Sequence, residues 1–447
     1  MSAPPIAPRI AIVGAGPSGF YTAEALLRAG IPGLQVDLIE RLPVPHGLVR
    51  YGVAPDHPKL KQVSAVFERI AAMPGLRFVG GVALGQDVAL DDLRRSYHAV
   101  VLATGAAQSR RLGIAGEELP GCYAAGDFVG WYNGHPDQRD CRFDLSAERA
   151  VVVGHGNVAL DVARILLRPV DELRRTDIAA HALDALADSR VREVVVVGRR
   201  GPAQTRFSPK ELHEFGELAG CDALLDGSDW TAHSFEPPPE ADAEARAAIA
   251  LLQAFSTHAT HAPAQRRRCV FRFHLAPATI SGHGRVQAMH FVRPPEAPAG
   301  GELTLDCGLV FASVGRRALP LPGVPYDAAR GVHANMHGRV TEAGRPVAGL
   351  YVCGWAKRGP QGTIGSNRAC GVQTAAAVLA DLPLLRERPV VTIPAVQAAW
   401  ERAVGLGDWQ RIDRAEVARG AALGKPREKF VDVDAMRDAA RQEAAAC

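Results

Sequence analysis

The sequence predicts an α/β fold of two three-layer units with parallel sheets, in which the second unit is inserted into the first. Three observations support this prediction. A β-branched strand enters a glycine-rich turn and a helix at 9–29, and the same pattern returns at 150–167. Between them, a buried strand at 98–105 ends in Thr104-Gly105, an ending that often marks a crossover into an inserted domain. A third strand with a glycine-rich turn follows at 349–365 and is expected to bring a second helix N-terminus back to the first unit.

The first unit begins with the turn Gly14-Ala15-Gly16-Pro17-Ser18-Gly19, and its second strand ends in Glu40. Gly14 allows a tight turn, Gly16 lets a pyrophosphate approach the backbone, and Gly19 lets helix and strand pack closely. The helix N-terminus favours negative charge, and Glu40 can accept hydrogen bonds from a ribose 2′-hydroxyl. A glycine turn without a ligand is the alternative, but the flanking strands and the terminal acid favour a Rossmann-like dinucleotide-binding unit.

The second unit carries the related turn Gly154-His155-Gly156-Asn157-Val158-Ala159, in which alanine takes the place of the third glycine. Its next strand ends in Arg199-Arg200, where the first unit has an acid. An acid suits an unphosphorylated ribose and two arginines suit a 2′-phosphate, so the sequence predicts two different dinucleotides. A solvated charge pair at a strand end is the alternative for the arginines. The long separation between turn and arginines predicts an insertion at 169–190.

Composition and charge exclude several classes of protein. The chain has 447 residues, 47% of them hydrophobic and 22% charged, which is typical of a globular protein of two or three domains. A net charge of +3 is too small to indicate nucleic acid. No apolar run approaches the length of a membrane span, and the first strand begins near residue 9, so we expect neither membrane insertion nor a targeting peptide.

The cysteines argue against several kinds of site, because none of them forms a C-x-x-C pair. This spacing predicts no disulfide framework, no metal site, no iron–sulfur cluster and no dithiol redox centre. We therefore expect a reducing, cytoplasmic location. The eight cysteines are Cys122, Cys141, Cys221, Cys269, Cys307, Cys353, Cys370 and Cys447.

Four other segments carry predictions. The segment 41–58 contains four prolines and two glycines and predicts a packed loop without regular elements, and 59–72 predicts a helix. Residues 222–265 predict helix and loop, and the segment from 390 predicts a polar helix–loop tail. The basic cluster Arg266, Arg267 and Arg268 precedes a strand; it is either a solvated face or a docking site for an acidic partner.

The longer motifs resemble the adrenodoxin reductase type of ferredoxin–NADP⁺ reductase. The resemblance covers essentially the whole chain in the right order and rests on residues 40–58, 130–134, 154–164, 198–202 and 354–360. It implies an FAD-binding domain at 1–110 and 323–447, with an NADP-binding domain at 111–322. It also implies that NADPH is the hydride donor and that a small acidic iron–sulfur ferredoxin is the electron acceptor. We expect the protein to be a monomer that serves electron transport.

The resemblance also assigns site residues. The residues for FAD are Gly14, Ala15, Gly16, Gly19, Glu40, Leu48, Val82, Trp355, Gly362, Thr363 and Ile364. The residues for NADP are His155, Gly156, Asn157, Val158, Arg199, Arg200 and Glu211. His57 and Glu214 correspond to an acid–histidine pair that tunes reduction beside the nicotinamide. The family often has Gln or Asn where this chain has His155, a departure that we expect to preserve binding.

The expected reaction is transfer of hydride from NADPH to FAD, followed by transfer of single electrons to the ferredoxin. A dithiol–disulfide reductase is one alternative, but it needs a cysteine pair that the sequence lacks. A flavin oxidase or monooxygenase acting on a small molecule is a second, and residue types alone leave it open. A non-catalytic nucleotide sensor is a third, and the intact glycines, Glu40 and the arginine pair oppose it.

Overall fold

The protein is described here from a computed structural model, which covers residues 7–256, 266–295, 297–298 and 300–442. The chain forms two compact units. Unit 1 comprises Met1–Val53, His57–Gln108 and Arg316–Cys447, and unit 2 comprises Ala54–Asp56 and Ser109–Gly315. Among the described residues, no helix combines the length and the apolar character needed to cross a bilayer.

The strands and helices of the described residues are numbered in chain order. The strands are β1 (Arg9–Val13), β2 (Gln35–Glu40), β3 (Leu76–Gly80), β4 (Ala99–Leu102), β5 (Gln108–Ser109), β6 (Cys122–Ala124), β7 (Arg149–Val153), β8 (Glu193–Val197), β9 (Cys221–Leu225), β10 (Arg267–Arg272), β11 (Ala276–Ser281), β12 (Ala288–Val292), β13 (Glu302–Asp306), β14 (Leu309–Ala312), β15 (Arg316–Arg317), β16 (Tyr326–Asp327), β17 (Val332–His333), β18 (Asn335–Met336), β19 (Arg339–Glu342) and β20 (Arg345–Val352). The helices are α1 (Pro17–Leu27), α2 (Leu48–Tyr51), α3 (Pro58–Lys61), α4 (Ser64–Ala71), α5 (Leu90–Ser96), α6 (Ala125–Tyr132), α7 (Asn157–Leu167), α8 (Val170–Leu173), α9 (Ala180–Ala187), α10 (Pro209–Gly216), α11 (Ala243–Ser256), α12 (Trp355–Arg358), α13 (Ser366–Leu385), α14 (Pro394–Glu401), α15 (Leu406–Ala422) and α16 (Val433–Arg441).

Unit 1 is built on a seven-stranded sheet in the order β18-β19-β20-β4-β1-β2-β3. The five strands from β20 to β3 are parallel, and β18 and β19 add an antiparallel edge. Side chains of β1 alternate between two cores: Ile10 and Ile12 pack on one face, Ala11 and Val13 on the other. Because both faces are covered, the central strand β4 is apolar and buried throughout.

Unit 2 is built on a six-stranded parallel sheet in the order β6-β14-β7-β8-β10-β9. Helices such as α6, α7 and α10 cover one face through a large apolar core. The antiparallel sheet β11-β12-β13 covers the other face, where Met289 and Phe291 pack against Val151 and Val153. The prediction of an α/β fold with layered parallel sheets is confirmed.

Three local predictions were wrong. In the segment 222–265, of which 257–265 lie outside the described residues, the structure has most of the edge strand β9 in addition to helix and loop. Its short run alternates between buried and half-buried residues, and such a signal is weak in sequence. The segment 41–58 contains the short helix α2. The helix expected at 59–72 is two helices, α3 and α4, which are separated by Gln62-Val63.

The expected insertion at 169–190 contains α8 and α9.

Candidate functional site

The first glycine turn joins β1 to α1 at the carboxyl edge of the unit 1 sheet. Gly14 has φ +114°, and a Cβ added there would lie 2.4 Å from the Ala103 carbonyl oxygen. A Cβ at Gly19 would lie 2.0 Å from the Gly14 oxygen, whereas the nearest atom to a Cβ at Gly16 is 4.0 Å away. No side chain caps the N-terminus of α1. Two glycines therefore allow close backbone packing, and the third leaves room for an anion at the helix N-terminus.

Glu40 ends β2 beside this turn. Its Oε2 accepts the Ala15 N–H at 3.0 Å, and its Oε1 accepts the Leu42 N–H at 3.3 Å. The Val82 N–H donates to the Glu40 carbonyl oxygen at 3.0 Å, which places Val82 next to the acid. Burial raises the pKa of the Glu40 carboxyl, and the backbone N–H donors oppose this rise. A carboxylate has about four acceptor positions, so Glu40 keeps capacity for ribose hydroxyls.

A second helix N-terminus lies beside the first. Helix α13 packs along α1, and the Ser18 hydroxyl near the start of α1 donates to Asn367 Oδ1 near the start of α13 at 3.0 Å. No side chain caps α13 either. Trp355 is half-buried, and its Nε1 donates to the Gln361 carbonyl oxygen at 3.2 Å. Two partial positive charges thus face the same edge of the sheet, where they can stabilise a diphosphate.

The remaining residues predicted for FAD lie around this edge. Leu48 begins α2, and Gly362 and Thr363 are exposed in the loop between α12 and α13. Ile364 in the same loop is half-buried and contacts the apolar core of unit 1. His57, which is predicted to lie beside the nicotinamide, precedes the first residue of α3 without a capping hydrogen bond from its side chain, and it is 7% exposed.

The second glycine turn joins β7 to α7 in unit 2. Gly154 has φ +143°, and a Cβ added there would lie 2.3 Å from the Ser313 carbonyl oxygen. Ala159 is fully buried, so a methyl group is tolerated at the third position. A Cβ at Gly156 would meet no atom within 4 Å, and no side chain caps α7. This turn therefore has the same two properties as the first: close backbone packing and an open helix N-terminus.

The His155 ring lies in the packed base of the second turn. It contacts the rings of Phe207 and Phe273 at centroid distances of 5.3 and 5.0 Å. A Cβ at Gly198 would lie 2.3 Å from His155 Nδ1, so the ring needs this glycine at the end of β8. Burial, with a smaller contribution from the nearby Arg200, lowers the pKa of His155 to about 4. The imidazole is neutral at pH 7 and shapes the turn without adding charge.

Three arginines lie in the chain segments next to the turn. Arg199, Arg200 and Arg206 have exposed side chains, and no ion pair is found for them within the described residues. The Arg206 N–H donates to the His155 carbonyl oxygen at 2.9 Å, and its backbone forms a β-bridge with Gly156. Sequence analysis missed Arg206 because no motif connects it to the turn; only this backbone pairing brings it there.

Asn157 and Ser208 join the N-termini of α7 and α10. Asn157 Oδ1 accepts the Ser208 N–H at 2.8 Å, and Asn157 Nδ2 donates to Ser208 Oγ at 3.3 Å. Ser208 Oγ in turn accepts the Glu211 N–H at 3.4 Å, which caps α10. The predicted residues Asn157 and Glu211 therefore belong to one connected group, and Val158 is exposed at the start of α7.

Glu211 takes part in a buried charge cluster that sequence analysis missed. Arg164 is fully buried, and its guanidinium bonds Asp56 and Asp161 at 2.6 Å and Glu211 at 3.2 Å. Opposite charges at these distances satisfy groups that would be costly to bury alone. Glu214, one turn along α10, lies 3.9 Å from Lys210 and is partly exposed. Of the two acids predicted on α10, Glu211 is held rigidly and Glu214 is accessible.

The basic cluster at 266–268 is largely engaged in contacts within unit 2. Arg266 pairs with Asp222 at 3.2 Å and Arg268 with Glu193 at 2.6 Å. Arg267 Nη1 donates to the Leu167 and Arg168 carbonyl oxygens, and burial lowers its pKa. The cluster precedes or begins β10, whereas Gly154 and Gly198 follow the ends of parallel strands, so the two lie at opposite edges of the sheet.

The cysteines bear on the dithiol alternative. All seven cysteines in the described part of the chain are free thiols. Cys353 and Cys370 flank the turn between β20 and α13, and the Gly354 N–H donates to Cys370 Sγ at 3.2 Å. Burial raises the pKa of Cys353 to about 12, so the reactive thiolate is disfavoured there.

Curated proteins similar to this chain are reductases. The profile of the pyridine nucleotide-disulphide oxidoreductase family matches residues 8–214. The mitochondrial NADPH:adrenodoxin oxidoreductase of Salvelinus fontinalis is 42% identical, over 98% of this chain and 92% of that protein. The probable ferredoxin/ferredoxin–NADP reductase of Mycobacterium tuberculosis is 43% identical, over 96% of this chain and 75% of that protein.

A solved structure agrees with these sequences. FprA of Mycobacterium tuberculosis in complex with NADPH superposes with a TM-score of 0.90 and 39% identity, over 97% of this chain and 99% of that chain. The likeness in sequence and in structure extends over both units. The chain belongs to the adrenodoxin reductase-type ferredoxin–NADP⁺ reductase family.

Proposed function

We propose that this protein passes electrons from NADPH through FAD to a ferredoxin-type iron–sulfur protein. The observation that carries the proposal is that the two glycine turns have neighbours of opposite charge. The first turn is next to the acid Glu40, and the second is next to three exposed arginines. FAD has an unphosphorylated adenosine ribose and NADPH has a 2′-phosphate. FAD supplies the ability to accept a hydride and release single electrons.

Unit 1 holds FAD in this proposal, and unit 2 holds NADPH. The corresponding domains are 1–110 with 323–447 for FAD and 111–322 for NADP. The N-termini of α1 and α13 stabilise the FAD diphosphate, and Glu40 accepts hydrogen bonds from its ribose. Leu48, Val82, Trp355 and residues 362–364 provide the walls of the site.

The N-terminus of α7 at Gly156 stabilises the NADPH diphosphate in the same way. Arg199 and Arg200 bind the 2′-phosphate through charge-assisted hydrogen bonds, which are shorter and stronger than neutral ones. Arg206 is the third member of this group, because its backbone is bonded to the turn itself. Glu211 is fixed by Arg164 and acts as an acceptor near the ribose, not as a phosphate ligand.

His57 and Glu214 position the nicotinamide and set the local charge. Transfer of hydride to the flavin N5 needs no proton donor, so their contribution is orientation and electrostatics. We expect His57→Gln to slow flavin reduction by NADPH or to weaken NADPH binding, while FAD content stays at the wild-type level. Stopped-flow bleaching of the flavin over a range of NADPH concentrations separates the two effects. Unchanged kinetics would reject the assignment.

The acceptor is a small acidic ferredoxin in this proposal, and the enzyme acts as a cytoplasmic monomer. The test is reduction of cytochrome c by the purified protein, with NADPH or NADH, with and without such a ferredoxin. We expect strong stimulation by ferredoxin with NADPH that falls with salt, because complementary charge speeds encounter, and no such stimulation with NADH. Rapid NADPH consumption that ignores ferredoxin and yields peroxide would instead indicate an oxidase or a monooxygenase.

The basic cluster 266–268 is the first docking site to test. In an Arg266→Ala/Arg268→Ala variant, docking at the cluster predicts a higher KM for ferredoxin and a weaker dependence on salt. The matched control is Arg142→Ala/Arg175→Ala, which removes the same charge elsewhere in unit 2. The carboxylate partners of Arg266 and Arg268 offset part of their charge, which weakens the case for docking here. An unchanged KM for ferredoxin and an unchanged salt dependence would exclude the cluster as the docking face.

A further inference from the structure

The loop 41–53 of unit 1 lies against the first glycine turn. The His46 N–H donates to the Ala15 carbonyl oxygen at 2.8 Å, and a Cβ added at Gly47 would lie 3.1 Å from Gly16 Cα. His46 has φ +84°, a conformation that residues other than glycine rarely adopt. A backbone in this region persists only where surrounding contacts hold it. The contacts that hold this loop therefore also determine how it covers the turn.

One set of contacts, which includes Trp409 of α15, holds the side chain of His46. The His46 ring packs against Phe20 and Phe67, and its edge meets Trp409 of α15 at a centroid distance of 5.6 Å. His46 Nε2 lies 3.1 Å from Glu68 Oε1, and Trp409 Nε1 donates to the same oxygen at 2.8 Å. Trp409 therefore packs against the histidine and also fixes the carboxylate that the histidine faces.

A second set holds Arg50, in α2. The Arg50 guanidinium bonds Glu416 of α15, and the two side chains are 4% and 0% exposed. It also lies 5.4 Å from the centre of the Trp409 ring. Burial opposes the charge of Arg50, but the Glu416 carboxylate more than compensates and raises its pKa. Glu416 accepts hydrogen bonds from Arg427 Nη1 and the Phe430 N–H at 3.0 Å, so its position does not depend on Arg50 alone.

We propose that Trp409 and Glu416 are positioning residues for FAD. Through His46 and Arg50 they hold the loop on both sides of Gly47-Leu48 against the glycine turn, and they thereby slow the loss of FAD. The inference rests on the proposed function, since it takes FAD as the ligand of unit 1. It makes helix α15 a part of the flavin site, although Glu416 and Arg50 are 366 positions apart in the sequence.

The test uses the full chain with Glu416→Gln, which keeps the shape of the side chain and removes the charge. We expect the dissociation constant for FAD to rise about tenfold or more, which corresponds to the loss of one strong contact. FAD release on dilution is followed by the recovery of its fluorescence. The matched control is Asp438→Asn on α16, where Asp438 pairs with Arg441 at 3.4 Å and both side chains are exposed; its FAD affinity is expected to equal that of the wild type.

A merely structural role predicts a different result. If Glu416→Gln lowers the Tm of the apoprotein and leaves the FAD dissociation constant of the folded protein unchanged, the proposal is wrong. Should this variant not fold, Trp409→Phe keeps an aromatic ring and removes the bond to Glu68. We expect about threefold faster FAD release, about half the tenfold effect in free energy. Unchanged release would overturn the proposal. A wild-type protein that binds no FAD would contradict the proposed function instead.

Discussion

Replacing Arg199 and Arg200 together by alanine is expected to raise the KM for NADPH by about two to four orders of magnitude. Each substitution is expected to remove a charge-assisted hydrogen bond to the 2′-phosphate that contributes about 1.5–3 kcal/mol to binding. The KM for NADH is expected to stay nearly unchanged, because NADH lacks that phosphate. The measurement is steady-state reduction of ferricyanide with each nucleotide, and the KM ratio is the informative quantity.

Arg190→Ala/Arg192→Ala is the matched control for this prediction. It removes the same charge just before β8, at the strand end opposite to Arg199 and Arg200. We expect its KM values to equal those of the wild type with both nucleotides. Equal losses with NADPH and NADH in the Arg199/Arg200 variant would show that the pair does not recognise the phosphate.

Arg206→Ala extends the same series. If Arg206 contributes one charge-assisted bond, its loss raises the KM for NADPH about tenfold. A smaller change with NADH is expected if the bond goes to the 2′-phosphate, and an equal change if it goes to the diphosphate that both nucleotides share. No change with either nucleotide would remove Arg206 from the site.

Gly19→Ala is expected to weaken FAD binding about a hundredfold. The added methyl group would lie 2.0 Å from the Gly14 carbonyl oxygen, so the helix must move away from the turn. Overpacking of this kind costs about 3 kcal/mol or more, enough to reduce the affinity for FAD about a hundredfold. The readout is the ratio of flavin to protein absorbance after gel filtration.

The control for this variant is Gly407→Ala in α15, where an added Cβ would meet no atom within 4 Å. It is expected to retain FAD as the wild type does. Unit 2 provides a check on folding, since Gly19→Ala is expected to bind 2′,5′-ADP normally. A Gly19→Ala protein that retains stoichiometric FAD would show that the turn is more compliant than its packing indicates.

Much of the fold could be predicted from the sequence because the dinucleotide-binding unit is encoded in contiguous residues. At both turns the strand, glycines and following helix stand next to one another, and the structure has β1–α1 and β7–α7 at these positions. The edge strand β9 could not be predicted in this way. This strand is five residues long and has no clear hydrophobic pattern, and it is stabilised as a strand by its pairing with β10.

The residues of the candidate site also fall into two groups, those that local motifs predict and those that only folding brings together. The glycines and Glu40 follow from local motifs with the expected spacing, and Arg199 and Arg200 follow from their place at the end of the strand after the second turn. Arg206 depends on a β-bridge to Gly156, and the Arg164 cluster depends on acids far away in the chain. No sequence period links such residues, so only packing brings them together.

By itself the sequence determined the family and the two glycine turns. It also determined that the strand after the first turn ends in an acid and the strand after the second turn ends in two arginines. These features are local, and the free-energy cost of a wrong backbone at a glycine turn restricts them to a few residue types. Only the tertiary structure decided that His155 is a neutral packed ring, that two of the arginines at 266–268 are paired with acids, and that Glu416 supports Arg50. Burial and charge pairing arise from residues distant in sequence, and they exist only once the chain has folded.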